Sequence, residues 1–340
     1  MAAKKVQTEE VVVVVDPSPE KVVVEIPTLS FSLDDLINKA KSRFDKKSLL
    51  NKTMKTADEI TLSHDRKDYI TNDEIVKFWK PLTGIWGLPF GRIVQIAGKA
   101  DSGKSSTSLL FQKAAQEMGC LVILWDSEGK FDSKRFKDRM GGRPELIPTS
   151  TTRNIVHGAQ QTVAYVKAAK ELKPSQRILI VWDSVGGSVN SAETEENDDF
   201  SRQPGVTARE VSWAIRRFNQ LIDKYRDQET GEYTVAVLCI NQVYANIGSV
   251  GNKQKGGGEL EYLSSLILEM TRFKTLTRQR QGQRIKYGIT TRTRVAKNHL
   301  FGGEDCVSEM VLAVSAGGIT LEKELTEDVV TDEDDGPTED

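Results

Sequence analysis

Residues 98–106, GKADSGKSS, decide how this 340-residue sequence is interpreted. They lie between the apolar run GRIVQIA and the helix-like run TSLLFQKAAQEMG. Gly98 to Ser105 match G-x-x-x-x-G-K-[ST], a pattern in which backbone N–H groups and the start of a helix bind an anion. Lys104 of this pattern reaches the terminal phosphates, and the Ser105 hydroxyl can ligate Mg²⁺. The strand-loop-helix context predicts a nucleoside triphosphate site.

Acidic residues follow two further strand-like runs. RILIVWDS supplies Asp183 as the second magnesium-side carboxylate, and LVILWDSEGKFD ends in Asp126 and Glu128. Hydrolysis needs a residue that orients or deprotonates water. We favour Glu128 for this role; Asp126 is the alternative, and spacing does not decide between them. Gln242, at the end of a fourth run, is interpreted either as a γ-phosphate sensor or as the partner of a buried backbone group.

The order of these runs predicts an α/β fold. Four strand-like runs alternate with helical or polar stretches, at residues 92–97, 121–125, 178–183 and 235–241. This rhythm is typical of a mostly parallel twisted sheet covered on both faces. Three later runs follow one another without long helices, at residues 265–271, 288–296 and 308–314. We expect them to form an antiparallel extension of the same sheet.

Composition indicates a globular, cytoplasmic protein without a membrane partner. The chain is 38% hydrophobic, and no apolar run approaches the ~20 residues of a bilayer-spanning helix. The N-terminal MAAKKVQTEE lacks the apolar stretch of a secretory signal. Cys120, Cys239 and Cys306 are too few and too scattered for a disulfide framework or a zinc site, so we expect buried thiols.

Charge is strongly segregated along the chain. The net charge is −2, but residues 322–340 hold ten acidic residues and one lysine, which leaves residues 1–321 at +7. Between Thr271 and Gly303 there are nine basic residues and no acidic one. A solvated face and a nucleic-acid-binding surface explain this run equally well. The acidic tail is interpreted either as solubilising or as a DNA mimic that competes for the basic surface.

The chain divides into four predicted segments. Residues 1–29 are expected to be disordered or ordered by a partner, and residues 30–75 to form an amphipathic helix and a polar linker. Residues 76–321 are the predicted core, and residues 322–340 an acidic disordered tail.

Six segments follow one another from about Gly84 to Gly318: GLPFGRIVQIAGKADSGKSS, DSEGKFD, LIVWDSVGG, CINQ, KGGGELEY and TRTRVAKNHLFGG. In order and spacing they resemble the RecA recombinase family, and within it the shorter, phage-type UvsX-like members. A generic P-loop ATPase would share only two of the six. SRFDKKSLL, residues 42–50, further resembles the polymerisation linker that joins the N-terminal helix to a strand docked on the neighbouring subunit. The resemblance implies a RecA-type P-loop ATPase core that uses ATP and Mg²⁺.

The resemblance also implies roles around the nucleotide. Glu128 would activate water, Asp183 would order the metal, and Gln242 would couple the γ-phosphate to DNA. Asp132 matches an adenine-contacting aspartate, and Arg135 stands where the family has the ring that stacks on the base. The implied nucleotide-binding set is Gly98, Asp101, Ser102, Gly103, Lys104, Ser105, Ser106, Asp132 and Arg135.

In this family, a pair of basic residues contacts the ATP that is bound to the neighbouring subunit. Lys297 matches the first member, and His299 stands in place of the second. Glu261 replaces another basic residue, and Tyr262 replaces the aromatic ring that packs on the neighbour.

DNA contacts are implied for two loops and the helix after the first loop. Loop one corresponds to residues 191–205 and loop two to residues 243–255. The implied DNA-binding residues are Gly205, Arg209, Ser212, Arg216, Tyr244, Lys253, Lys255, Gly256 and Gly257. The spacing of Arg209, Ser212 and Arg216 places them on one helical face.

The sequence therefore predicts a DNA-dependent ATPase that forms a helical homo-oligomeric filament on single-stranded DNA, pairs it with homologous duplex DNA and exchanges strands. Single-strand-binding and loader proteins are candidate partners. A ring-forming helicase on the same fold and a non-catalytic recombination mediator remain alternatives. Intact Lys104, Glu128 and Asp183 argue against the mediator.

Overall fold

The computed structural model describes residues 65–191, 205–227, 230–245, 252–254, 258–280, 283–300, 306–321 and 330–331. All of them belong to the second of the two units into which the chain divides, Thr61–Asp340. The expectations for residues 1–29, for residues 30–64, for most of the two loops and for most of the acidic tail lie outside the described residues.

Six α-helices and thirteen strands are present in the described ranges. The helices are α1 (Asp73–Thr83), α2 (Lys104–Glu117), α3 (Ser133–Met140), α4 (Ile155–Leu172), α5 (Val206–Lys224) and α6 (Gly258–Leu263). The strands are β1 (Tyr69–Ile70), β2 (Leu88–Pro89), β3 (Ile93–Gly98), β4 (Leu121–Asp126), β5 (Thr149–Ser150), β6 (Ile178–Asp183), β7 (Val235–Ala245), β8 (Asn252–Gln254), β9 (Ser264–Arg280), β10 (Gln283–Asn298), β11 (Glu309–Ser315), β12 (Gly318–Leu321) and β13 (Val330–Thr331). None of these helices is both long enough and apolar enough to span a bilayer.

Eleven of the described strands form one sheet. Its order is β12-β11-β10-β9-β3-β7-β6-β4-β5, with β8 beside β7 and β13 beside β9. Strands β5, β4, β6, β7, β3 and β9 are parallel to one another, whereas β9 to β12 form antiparallel pairs. The predicted α/β class, with a parallel sheet and an antiparallel extension, is confirmed.

The central strands are apolar along their whole length because both faces of the sheet are covered. Successive residues of β3 point to opposite faces: Ile93 packs in one hydrophobic cluster, and Val94 packs in the other. Helices α1, α2 and α3 contribute to the cluster around Val94, and α4 and α5 to the cluster around Ile93. In the second cluster Trp125 and Trp182, neighbours in register on β4 and β6, stack with ring centroids 4.2 Å apart.

Buried residues occur before the expected core boundary at residue 76. Asn72 caps helix α1 by accepting the backbone N–H of Ile75 at 3.0 Å, and the helix ends at Gly84 with φ 78°. Ile75 and Trp79 are fully buried. The stretch up to residue 75 was expected to be linker because it is polar on average, yet Tyr69 and Ile70 on β1 and Ile75 on α1 are buried.

Candidate functional site

Four strands bring polar residues to one edge of the sheet. Gly98 ends β3 and lies in register with Gln242 on the neighbouring β7, while Asp183 and Asp126 end β6 and β4 in register with each other. In parallel sheets ligands bind at the carboxyl ends of the strands. The fold therefore assembles at one edge the residues that the sequence predicted for a triphosphate site.

The loop between β3 and α2 curls around the ammonium group of Lys104. Lys104 Nζ donates hydrogen bonds to the backbone carbonyl of Lys99 and to Ser102 Oγ at 3.3 Å, and Ser102 Oγ donates to the same carbonyl at 2.9 Å. Gly103 has φ 91° and Asp101 has φ 55°, both in the left-handed region. Left-handed residues of this kind are typical of loops whose backbone N–H groups bind anions.

The pKa values of Lys104 and Asp183 depend on burial and on each other's charge. Burial lowers the pKa of Lys104, and the carboxylates of Asp183 and Glu128 partly oppose that effect. Burial raises the pKa of Asp183 to about 6, even though its carboxylate accepts a hydrogen bond from Ser105. A hydroxyl and a carboxylate are thus in contact at the start of α2, which is a donor set that Mg²⁺ accepts.

The two acidic residues after β4 have different surroundings. Asp126 is buried, and its two carboxylate oxygens accept the backbone N–H groups of Lys130 at 3.1 Å and Phe131 at 2.8 Å. Both residues line the cleft, but Glu128 accepts hydrogen bonds from side chains rather than from the turn. Asp126 therefore holds the turn, and Glu128 is the carboxylate that faces the loop at residues 98–106.

Three side chains donate hydrogen bonds to Glu128. Gln242 Nε2 lies 2.7 Å from Glu128 Oε1, Lys130 Nζ lies 2.6 Å from Oε2, and the Ser184 hydroxyl also donates to Oε1. Burial alone would raise the pKa of Glu128, but these donors and the charge of Lys130 outweigh burial and hold it below its ordinary value. Glu128 is therefore ionised at neutral pH.

Asp132 and Arg135 lie at the far end of the cleft. Asp132 caps helix α3 by accepting the N–H of Arg135 at 2.8 Å. The Arg135 guanidinium donates to Ser106 Oγ at 3.0 Å, to the Ser315 carbonyl at 2.9 Å and to the Ala316 carbonyl at 3.2 Å. Arg135 therefore links α2 to the turn between β11 and β12.

The cleft formed by these groups has a volume of about 660 Å³. The loop at residues 100–106 lines one side, with Glu128, Asp132 and Arg135. Residues 286–289 of β10 also line the cleft, although no motif in the sequence marks them as part of the site.

The basic pair predicted to act on a neighbour lies near the other end of β10. Lys297 Nζ donates to the carbonyls of Glu261 at 2.7 Å and Tyr262 at 2.9 Å, at the end of α6. Tyr262 is 78% exposed. His299 is exposed, and its backbone N–H donates to Ser265 at 2.9 Å. Within one chain, Lys297 and His299 do not line the cleft.

Helix α5 presents the predicted DNA-binding face. Arg209 is exposed, and the half-buried Ser212 donates from Oγ to the Ala208 carbonyl at 2.7 Å. Arg216, a predicted DNA contact, forms a two-point ion pair with Glu259, with N···O distances of 2.9 and 3.2 Å. Glu259 lies in the first turn of α6, so this contact links the helix after loop one to the helix after loop two.

The two loops are held at their ends by short-range contacts. In loop two, β7 and β8 pair antiparallel, which sets Tyr244 opposite Lys253. At the start of loop one, the backbone N–H of Ser191 donates to both oxygens of Glu210 at 3.1 Å. Gly205 precedes α5 with φ 90°. Lys255, Gly256 and Gly257 lie outside the described residues.

Comparison with known proteins identifies the family. The RecA N-terminal domain model matches residues 37–303. The chain belongs to the RecA family. The protein RecA of Ureaplasma parvum is 30% identical over 222 residues, which are 64% of this chain and 60% of that protein. The RecA of Roseiflexus castenholzii is 31% identical over 219 residues, 63% of this chain and 56% of its own length. The chain thus spans about three fifths of the RecA proteins it matches.

Three residues that were not predicted from the sequence contact or line this site. Lys130 pairs with Glu128, and Glu259 pairs with Arg216. A third, Tyr287, lines the cleft from β10. Lys130 lies two residues from Glu128, so the spacing contained a signal for that pair. Glu259 is distant in sequence from Arg216, and Tyr287 is distant from the loop at residues 98–106. Only the folded structure shows that they lie close together.

Proposed function

We propose that this chain is an ATP-dependent recombinase that polymerises on single-stranded DNA as a helical filament, pairs it with homologous duplex DNA and exchanges strands. The observation that carries the proposal is the 2.7 Å hydrogen bond between Gln242 and Glu128. It joins the carboxylate beside the triphosphate loop to the strand that leads into loop two. An ATPase whose turnover responds to DNA needs such a connection between its two sites.

ATP binding is supported by the loop at residues 98–106 and by the contacts of Lys104. Mg²⁺ would be held by Ser105 directly and by Asp183 through water, since their hydroxyl and carboxylate are already in contact. When bound, the ion would neutralise charge on the phosphates. Occupation by a cation would also favour the ionised form of Asp183, which burial otherwise disfavours.

Glu128 is the proposed base for the attacking water. It is ionised at neutral pH, half-buried and directed into the cleft. Asp126 is the weaker candidate, because it is 6% exposed and both of its carboxylate oxygens already accept backbone N–H groups. A positioned general base contributes about 10²–10⁴-fold to a rate.

DNA binding is supported by α5 and by the hairpin of loop two. Arg209 and Arg216 supply positive charge on one face, and Tyr244 lies opposite Lys253 in β7 and β8. A loop that carries both a lysine and a tyrosine suits a single strand, because such residues can contact the phosphate and the base without reading sequence. The choice of sequence would then rest on base pairing between the strands.

The proposed filament places Lys297 and His299 against the ATP of the next subunit. The exposure of Tyr262, beside the carbonyls that hold Lys297, supports a partner at this surface. A phage-type, UvsX-like subtype and interactions with single-strand-binding and loader proteins remain further predictions of the sequence, as does a cytoplasmic location.

The proposal is tested by comparing the wild-type chain with Lys104→Ala. We expect the wild type to bind single-stranded DNA tightly with ATP and Mg²⁺ and to form filaments in electron micrographs. Lys104→Ala should lose nucleotide-dependent DNA binding, whereas Lys137→Ala, an exposed lysine on α3, should behave as wild type. Unchanged ATP-dependent binding by Lys104→Ala would reject the nucleotide switch. Closed rings in place of filaments would favour a helicase.

A further inference from the structure

Hydrogen bonds hold the guanidinium group of Arg135 in place. Its guanidinium donates hydrogen bonds to Ser106 and to the carbonyls of Ser315 and Ala316, all between 2.9 and 3.2 Å. Through these contacts Arg135 joins α2 to the turn between β11 and β12. Arg135 has no aromatic ring, so an aromatic surface for the base must come from another residue lining the cleft.

Two aromatic side chains line the cleft, Phe131 and Tyr287. Phe131 packs on Phe136, with ring centroids 5.6 Å apart, and against the hydrophobic cluster that contains Val94. Tyr287 is half-buried on β10. Because Phe131 already packs against the core, Tyr287 is the better placed of the two to contact a ligand.

A β-bulge sets the direction of Tyr287. The register between β10 and β9 passes from Lys286 opposite Thr277 to Gly288 opposite Leu276, which leaves Tyr287 as the extra residue of the described hairpin. Bulges re-aim side chains and occur often beside active sites. Here the bulge lies beyond the carboxyl end of β3, where the hairpin forms the wall of the cleft.

The residue after Tyr287 keeps this wall close to the neighbouring strand. A Cβ atom on Gly288 would lie 2.6 Å from the Val314 carbonyl oxygen, so a larger residue would force β10 and β11 apart. Val314 directly precedes the turn whose carbonyls accept Arg135. Tyr287, on β10, and Arg135, a residue of α3 that is hydrogen-bonded to the end of β11, are thereby both held in the lining of the cleft.

We propose that Tyr287 is the surface on which the nucleobase of the bound triphosphate packs. This inference rests on the proposed ATP-binding function. The guanidinium of Arg278, on the facing strand, lies 5.7 Å from the Tyr287 ring centroid, within the range of a cation–π contact. Stacking on an aromatic ring accepts the π-face of any base. Tyr287 therefore raises affinity for nucleoside triphosphates over inorganic triphosphate without selecting adenine.

Calorimetric titration with Mg·ATP and with Mg·tripolyphosphate separates the base from the phosphates. We expect Tyr287→Ala to weaken ATP binding by about tenfold and to leave tripolyphosphate affinity unchanged, which also reports an intact fold. Tyr287→Phe should bind both ligands as wild type does. Tyr165→Ala, which removes a tyrosine from the surface of α4, is the matched control.

A spectroscopic measurement tests stacking directly. The triphosphate of 2-aminopurine riboside should lose fluorescence on binding to the wild type and to Tyr287→Phe. Tyr287→Leu, which retains bulk but has no π-face, should restore the fluorescence. Wild-type ATP affinity in Tyr287→Ala, or equal quenching in Tyr287→Leu, would overturn the assignment. A wild-type chain that binds neither ATP nor tripolyphosphate would instead overturn the proposed ATPase, and this inference with it.

Discussion

Gln242 Nε2 and Glu128 Oε1 lie 2.7 Å apart, so the residue before loop two is hydrogen-bonded to the proposed catalytic carboxylate. The same Glu128 oxygen also accepts the Ser184 hydroxyl. A γ-phosphate in the cleft would offer the amide of Gln242 a more highly charged acceptor. Transfer of this hydrogen bond would free Glu128 to hold water and would move the start of loop two in the same step.

The first prediction concerns Gln242→Ala. The variant should bind ATP normally, but its ATPase rate should no longer rise when single-stranded DNA is added, because the link to loop two is missing. Steady-state hydrolysis with and without DNA measures this. Glu128→Gln is the matched variant: it keeps an acceptor for Gln242, so ATP-dependent DNA binding should persist while hydrolysis falls by about 100-fold or more. Normal DNA stimulation in Gln242→Ala would contradict the proposed link.

The second prediction concerns Lys130, whose Nζ lies 2.6 Å from Glu128 Oε2. Lys130→Met removes a donor and a positive charge that lower the pKa of Glu128, so that pKa should rise toward its ordinary value. Because a base works only when ionised, the acidic limb of the pH–rate profile should move to higher pH. Hydrolysis measured between about pH 4 and 8 would show the shift. Lys134→Met, an exposed lysine on α3, should leave the limb in place.

Much of the site was predictable from the sequence because strand ends are local signals. Apolar runs that terminate in Asp126 and Asp183 predicted which residues would reach the carboxyl edge, and parallel pairing places them side by side. The choice between Asp126 and Glu128 was not predictable, because it depends on which carboxylate accepts the N–H groups of the following turn.

Contacts between distant segments were not predictable. Glu259 is 43 residues from Arg216, and the two meet only because α5 and α6 pack together. Tyr287 belongs to the site through one register shift in a long hairpin, and no sequence period marks a bulge. Lys130 is different: its separation of two residues from Glu128 was visible, but its side-chain direction depends on the turn that Asp126 holds.

The third prediction concerns stability. Lys170 is 4% exposed, donates to Thr234 Oγ1 at 2.6 Å, and has its pKa lowered by burial from 10.5 to about 8. The unfolded chain therefore binds more protons than the folded one between these values, so stability should rise with pH across this window. Burying the charged ammonium of Lys170 lowers the free energy of unfolding by about 3 kcal/mol, as calculated from this shift. This cost is fully present below pH 8 and vanishes above the pKa of the unfolded chain.

Lys170→Met should flatten that dependence. Urea unfolding at several pH values between about 7 and 10 measures the slope, and Lys167→Met, on an exposed face of the same helix, is the control. An identical slope in Lys170→Met and wild type would show that Lys170 stays charged when buried.

The fourth prediction concerns the ion pair between Arg216 and Glu259. The Arg216 side chain is 65% exposed, and exposed pairs contribute about 0–1 kcal/mol, so a DNA phosphate can replace the carboxylate at small cost. Glu259→Gln should strengthen single-strand binding by up to about fivefold, because the carboxylate no longer competes with the phosphate. Arg216→Ala should weaken binding on all sequences alike and reduce the salt slope by about 0.7.

The double variant decides whether the two residues act together. If Glu259 acts only by occupying Arg216, then Glu259→Gln should have no effect in the Arg216→Ala background, and the two changes will be non-additive. Fluorescence anisotropy with a labelled oligonucleotide over a series of salt concentrations measures both affinity and slope. Glu171→Gln, an exposed glutamate on α4, controls for the change in net charge. Additive effects would mean that Glu259 repels DNA directly and that Arg216 is not its target.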